Sequence, residues 1–145
     1  MSKEKFTLRG AVYLILVKDG KILLLKRANT GWKDGEYSLV AGHLDGNETV
    51  AQAMAREAKE EAGLEIKSED LKVVHIVHHI SNYEFVDFYL TADNWQGEPK
   101  VMEPQKCSDL SWFPLDNLPE EMIDNVRVAL ENYRKGIAFS EYRWK

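Results

Sequence analysis

A single cysteine, Cys107, excludes an intrachain disulfide and fits a reducing, cytoplasmic setting. Long apolar runs are missing too. The longest, AVYLILV at 11–17, is far too short to cross a bilayer, and the opening MSKEKFTLRG lacks the apolar run of a signal peptide. Basic residues are not in excess: 19 Lys and Arg against 24 Asp and Glu leave a net charge of -5. That balance argues against nucleic-acid or anionic-membrane binding, but leaves open a small anionic substrate held through a metal. Repeats, low-complexity segments and linkers are absent. What is present, 44% apolar and 30% charged residues, is ordinary for a globular protein. The expectation for 145 residues is one domain over 1–145, burying roughly two thirds of its unfolded surface.

FTLRGAVYLILV and ILLLKR read as two strands about a tight Asp19-Gly20 turn. A polar loop (28–36), a short strand YSLVA (37–41) and a second loop GHLDGNE (42–48) follow. The first helix begins near Thr49, with Gln52 completing a capping box, and stops at Gly63. Two strands are expected at 71–80 and 83–92, then a loop at 95–107 and a strand at 109–115. A final helix runs from Asp116 or Pro119 to Arg134, its apolar face drawn from Met122, Ile123, Val126, Ala129, Leu130 and Tyr133. Strands interleaved with two helices imply an α/β or α+β domain with helices on a mixed sheet.

The first helix carries Glu57, Glu60 and Glu61 at i, i+3 and i+4, on one face. A solvated face of like charges costs a few tenths of a kcal/mol per pair. A recessed one is different. Charges ~5 Å apart at an effective dielectric of ~20 repel by roughly 3 kcal/mol. Three such pairs approach ~10 kcal/mol, comparable to the stability of a whole domain. A recessed cluster therefore needs protons or a cation, and hard oxygen ligands suit Mg²⁺ or Mn²⁺.

The flanks decide between these readings. GHLDGNETVAQAMAREAKEEAGL (42–64) fits the pattern G-x5-E-x7-R-E-U-x-E-E-x-G-U through Gly42, Glu48, Arg56, Glu57, Glu60, Glu61 and Gly63. This resembles the Nudix box, the signature of the Nudix hydrolase superfamily. Ala58, where the pattern usually has a bulky aliphatic residue, is the one departure. The order of elements on either side is similar to the Nudix α/β/α sandwich over nearly the whole chain.

The resemblance implies that Glu57, Glu60 and Glu61 ligate divalent ions, usually Mg²⁺ with Mn²⁺ able to substitute, and that the Gly42 carbonyl is a further ligand. Arg56 would orient the carboxylates, and Glu48 would tie the loop to the helix or reach the metal. The implied reaction is attack of water on a phosphorus of a nucleoside diphosphate linked to a group X. Glu103 is the later loop acid favoured as proton acceptor, with Glu98 its rival. A small MutT-like member would split a nucleoside triphosphate, ordinary or modified, into monophosphate and pyrophosphate. ADP-ribose, a nucleotide sugar or a dinucleoside polyphosphate would use the same box. A non-catalytic nucleotide sensor is the reading from another class, and either a monomer or a homodimer fits.

Weaker signals surround the box. Arg27, at the end of the second strand, is a candidate for substrate phosphate or base. Asp87, alternating with Phe85 and Tyr89, could line a pocket. Tyr37, Trp32 and Trp95 are candidates to stack on a base, and Asn125 to read a base edge. HIVHH (75–79) places His75 and His79 on one strand face and His78 on the other, a poor three-ligand zinc site.

Overall fold

A computed structural model describes residues 4–143. The first apolar run serves two sheets rather than forming one strand. β1 (Arg9–Ile15) ends before Leu16, and β2 (Val17–Lys18) continues in a different sheet. Asp19 (φ 53°) and Gly20 (φ 74°) both take the left-handed conformation that a two-residue hairpin turn into β3 (Lys21–Arg27) requires. The strand expected over 37–41 is likewise divided, into β4 (Tyr37–Ser38) and β5 (Val40–His43).

Helix α1 (Val50–Ala62) has the expected ends. Thr49 accepts from the Gln52 N–H while the Gln52 side chain accepts from the Thr49 N–H. Gly63 (φ 68°) closes it, its N–H donating to the Lys59 carbonyl. A 3-10 turn (Ser68–Asp70) leads to β6 (Leu71–Ile80), β7 (Glu84–Ala92) and β8 (Cys107–Pro114).

Helix α2 (Asp124–Arg134) begins later than the apolar spacing suggests. The Tyr37 N–H donates to the Glu121 carbonyl and the Ile123 N–H to the Tyr37 carbonyl, holding 121–123 extended against β4. Met122 and Ile123 are buried, but ahead of the helix. A strand absent from the sequence reading, β9 (Phe139–Tyr142), follows and pairs parallel to β6.

Five strands form one mixed sheet in the order β5-β1-β7-β6-β9, with β1 parallel to β7. β2, β3, β4 and β8 form the second. Alternation along the strands sends Val12, Leu14, Leu23 and Leu90 to a core with Ala53, Met54, Ala58 and Ala62 of α1. Ile15, Ile22, Leu24, Val77 and Tyr89 face Val126, Ala129 and Leu130 of α2. The helices therefore lie on opposite sides of the strands, the layering the box resemblance implied. Ala58 is fully buried.

Candidate active site

The amphipathic turn pattern of α1 commits Ala53, Met54, Ala58 and Ala62 to the core and leaves the acidic positions beside the end of β5 and the loop before the helix. The three carboxylates sit in different surroundings. Glu60 is about half exposed, while Glu57 is recessed at 13%. Glu57 lies so close under Gly42 that a Cβ there would stand 2.1 Å from its carboxyl carbon. Glycine at 42 is thus required by contact with the helix carboxylate. Glu61 accepts a 2.8 Å hydrogen bond from the Ala41 N–H. Burial pushes its carboxyl up to about 8, beyond what that bond offsets, with Glu57 and Glu103 adding like charge. Burial also raises Glu57, against the opposing pull of Arg56.

Arg56 is the organiser of this face. Its guanidinium contacts Glu57 at 2.7 Å, Glu60 at 3.5 Å, Asp45 at 3.2 Å and both oxygens of Glu48 at 2.8 and 3.2 Å. It also donates to the His43 carbonyl. Glu48, an expected metal ligand, is here bound through both oxygens by Arg56 and accepts from the Asp45 N–H, so it ties the loop to the helix.

Glu61 faces a cavity of about 390 Å³ whose other polar walls are Arg27, Asn29, Thr30, Glu103 and Lys106, over Leu25 and Cys107. Two candidates from distant stretches, Arg27 and Glu103, are thereby brought to the box. Glu103 stands 3.9 Å from Lys106 Nζ. Its rival Glu98 lines a separate open depression with Trp95 and Lys18, away from the box carboxylates. Thr30 and Lys106 escaped the sequence reading. The turn-rich stretch NTGWKDG was the available signal for the first; nothing local marks the second.

Tyr37 and Asp87 lie elsewhere. The Tyr37 hydroxyl donates to Asp109 at 2.7 Å and its ring packs edge-on against Phe113, so burial and the Asp109 charge push it up to about 12. Asp87 is 1% exposed on the α2 side of the sheet, with His79 Nε2 2.7 Å from its Oδ2 but outside hydrogen-bond alignment. Asn125 lies near the Tyr13 hydroxyl, away from the cavity that Glu61 faces. His75 contacts the Ile137 carbonyl and Ser140, and His78 contacts Glu84, so the histidines serve separate structural contacts.

The donor set suits a hard divalent cation: all oxygen, with a recessed Glu61 held neutral near pH 7 unless a positive charge joins it. Among the described residues no three acidic, histidine or cysteine side chains converge on one ligation point, because Arg56 draws Glu57 and Glu60 to itself.

A model of the NUDIX domain family matches residues 7–133. The ADP-ribose pyrophosphatase of Methanocaldococcus jannaschii is 32% identical over 142 residues, covering 92% of this chain and 79% of that protein. The oxidized purine nucleoside triphosphate hydrolase of Danio rerio is 31% identical over 123 residues, or 79% of this chain and 71% of its own. In structure, a MutT NUDIX hydrolase from Burkholderia pseudomallei superposes with a TM-score of 0.79 at 33% identity, covering 87% of this chain and 98% of that one. The chain belongs to the Nudix family. It is a hydrolase of pyrophosphate bonds, of a family that acts on small nucleotides and generally needs a divalent metal. No helix among the described residues is long and apolar enough to cross a membrane.

Proposed function

We propose that this chain is a Mg²⁺-dependent pyrophosphohydrolase that splits a nucleoside triphosphate, ordinary or modified, into monophosphate and pyrophosphate. The observation that carries the reading is the placement of the recessed Glu61 carboxylate in one cavity with Glu103 and the cations Arg27 and Lys106. Glu57, Glu60, Glu61 and the Gly42 carbonyl would hold the ion. When bound, it supplies charge neutralisation for the diphosphate and acidifies water. Arg56 fixes the carboxylates through charge-assisted hydrogen bonds. Arg27 binds a substrate phosphate. Glu103 accepts the proton of the attacking water on a carboxylate oxygen.

A second reading, hydrolysis of ADP-ribose, is favoured by the Methanocaldococcus jannaschii relative, which matches 92% of this chain. Incubation with Mg²⁺ and a nucleotide panel, with chromatography of products and Glu61→Gln as blank, separates the two. Pyrophosphate and a monophosphate from triphosphates are expected. AMP and ribose phosphate from ADP-ribose alone would establish the second reading. Nucleotide-dependent stabilisation without turnover would mean a sensor instead.

A further inference from the structure

Two arginines flank the candidate site, and they are used in opposite ways. Arg56 is saturated by the carboxylates of Asp45, Glu48, Glu57 and Glu60. Arg27 lines the same cavity as Glu61 and Glu103, yet no carboxylate pairs with it among the described residues. A cation left unpaired beside two acids is available to an anion that enters the cavity.

Arg27 is nonetheless held in place by the loop 28–36. Its Nε donates to the Trp32 carbonyl at 2.8 Å and its Nη2 to Thr30 Oγ1 at 2.9 Å. The Thr30 hydroxyl commits its own proton to Asp34 Oδ1 at 2.6 Å, which turns a lone pair toward Arg27. Asp34 also accepts from the backbone N–H groups of Thr30 and Gly31 at 2.9 to 3.2 Å. These bonds draw the Asp34 carboxyl below its ordinary range. They keep the loop in a conformation in which Asn29 (φ 56°) and Lys33 (φ 51°) both take the left-handed region that side chains disfavour. The Trp32 indole lies 5.0 Å from the guanidinium carbon and braces it. Two of the five Arg27 N–H donors serve the loop, and the others make no hydrogen bond among the described residues.

We propose that Arg27, positioned by Thr30 and Asp34, forms with Lys106 a seat for an anionic X group, so that the enzyme favours substrates whose X is itself phosphate over those whose X is a neutral sugar. This rests on the cavity being the X side of the pyrophosphohydrolase site described above. Thr30 and Asp34 are positioning residues acting through Arg27.

Calorimetric titration of inorganic pyrophosphate in Mg²⁺ tests the seat without turnover. Arg27→Ala should weaken binding at least about tenfold and Thr30→Val about three- to tenfold, as loss of a charge-assisted hydrogen bond implies. Thr30→Ser should restore binding. The double variant Arg27→Ala/Thr30→Val should bind no more weakly than Arg27→Ala, because the Thr30 hydroxyl, although it lines the cavity, commits its proton to Asp34 and accepts from Arg27 and the Trp32 N–H. Additive losses, wild-type binding by Thr30→Val, or no binding by the wild type would overturn the seat. For selectivity, Arg27→Ala should lower the ratio of kcat/KM for a nucleoside triphosphate over ADP-ribose about tenfold. Equal losses on both substrates, or a wild type that cleaves ADP-ribose alone, would overturn the selection. Failure of the hydrolase reading looks different: the wild type then cleaves neither substrate, and the pyrophosphate titration still decides the seat by itself.

Discussion

Helices α1 and α2 lie on opposite faces of the same strands, yet they are specified in different ways. α1 carries its own instructions: Thr49 and Gln52 cap one end and Gly63 the other. α2 has no side-chain cap at Ile123, and its start is set by the pairing of residues 121–123 with Tyr37, far away in sequence. The candidate carboxylates Glu57, Glu60 and Glu61 sit on the helix whose ends are locally encoded. A carboxylate set that must be held to a fraction of an ångström benefits from a helix whose register does not depend on distant packing. α2 contributes burial through Val126, Ala129 and Leu130 and bears none of the box acids.

Substitutions on the two helices should therefore separate activity from stability. Glu61→Gln is expected to lower kcat by about a hundred- to a thousandfold, in the range for removal of an electrostatic group that stabilises the transition state. Pyrophosphate release measures it, and the melting temperature should hold or rise; Glu60→Gln should act in the same direction. Leu130→Ala on α2 should do the reverse, costing about 2–5 kcal/mol in urea unfolding as a cavity opens, while kcat below the transition changes little. Gly42→Ala joins the two effects. The new Cβ collides with Glu57, so a loss of about 1–3 kcal/mol should accompany lower kcat.

pH acts on stability through the Glu61 carboxylate. Glu61 is raised in the folded state, so it stays protonated where the unfolded chain has already ionised. Its contribution is full below about pH 4.5 and is lost as pH rises toward about 8. Metal-free protein should thus lose stability between pH 5 and 8, by at most about 1.4 kcal/mol per pH unit from this group. Glu61→Gln should flatten that slope in chemical denaturation. Thr49→Ala should cost about 1 kcal/mol, the ordinary loss of a helix cap, with the remaining fold intact.

The same contrast explains what the sequence made legible. Thr49, Gln52 and Gly63 act within a turn of α1, and Asp19-Gly20 within its own hairpin, so their spacing is enough to read them. The ends of α2 and the whole of β9 depend on non-local pairing. Met122 and Ile123 continue the helical apolar spacing, but hydrogen bonds to Tyr37 override it. β9 is four residues long and is held through β6 and the His75 contacts to Ile137 and Ser140. In the site, the box residues were legible because they are contiguous. Arg27 and Glu103 were legible only as types at suggestive positions, and the cavity adds the partners Thr30 and Lys106. The alternation of Asp87 with Phe85 and Tyr89 marks a sheet face correctly, but that face is buried on the α2 side rather than open to this cavity.

The central claim is that the fold leaves the recessed Glu61 carboxylate for a cation. Calorimetry of Mg²⁺ binding at pH 7, repeated in two buffers of different ionisation enthalpy, counts the protons that leave as the ion enters. A carboxyl pushed up to about 8 is mostly protonated at that pH, so release close to one proton is expected, and Glu61→Gln should abolish it. Mg²⁺ binding without proton release, or with the same release in Glu61→Gln, would contradict the claim.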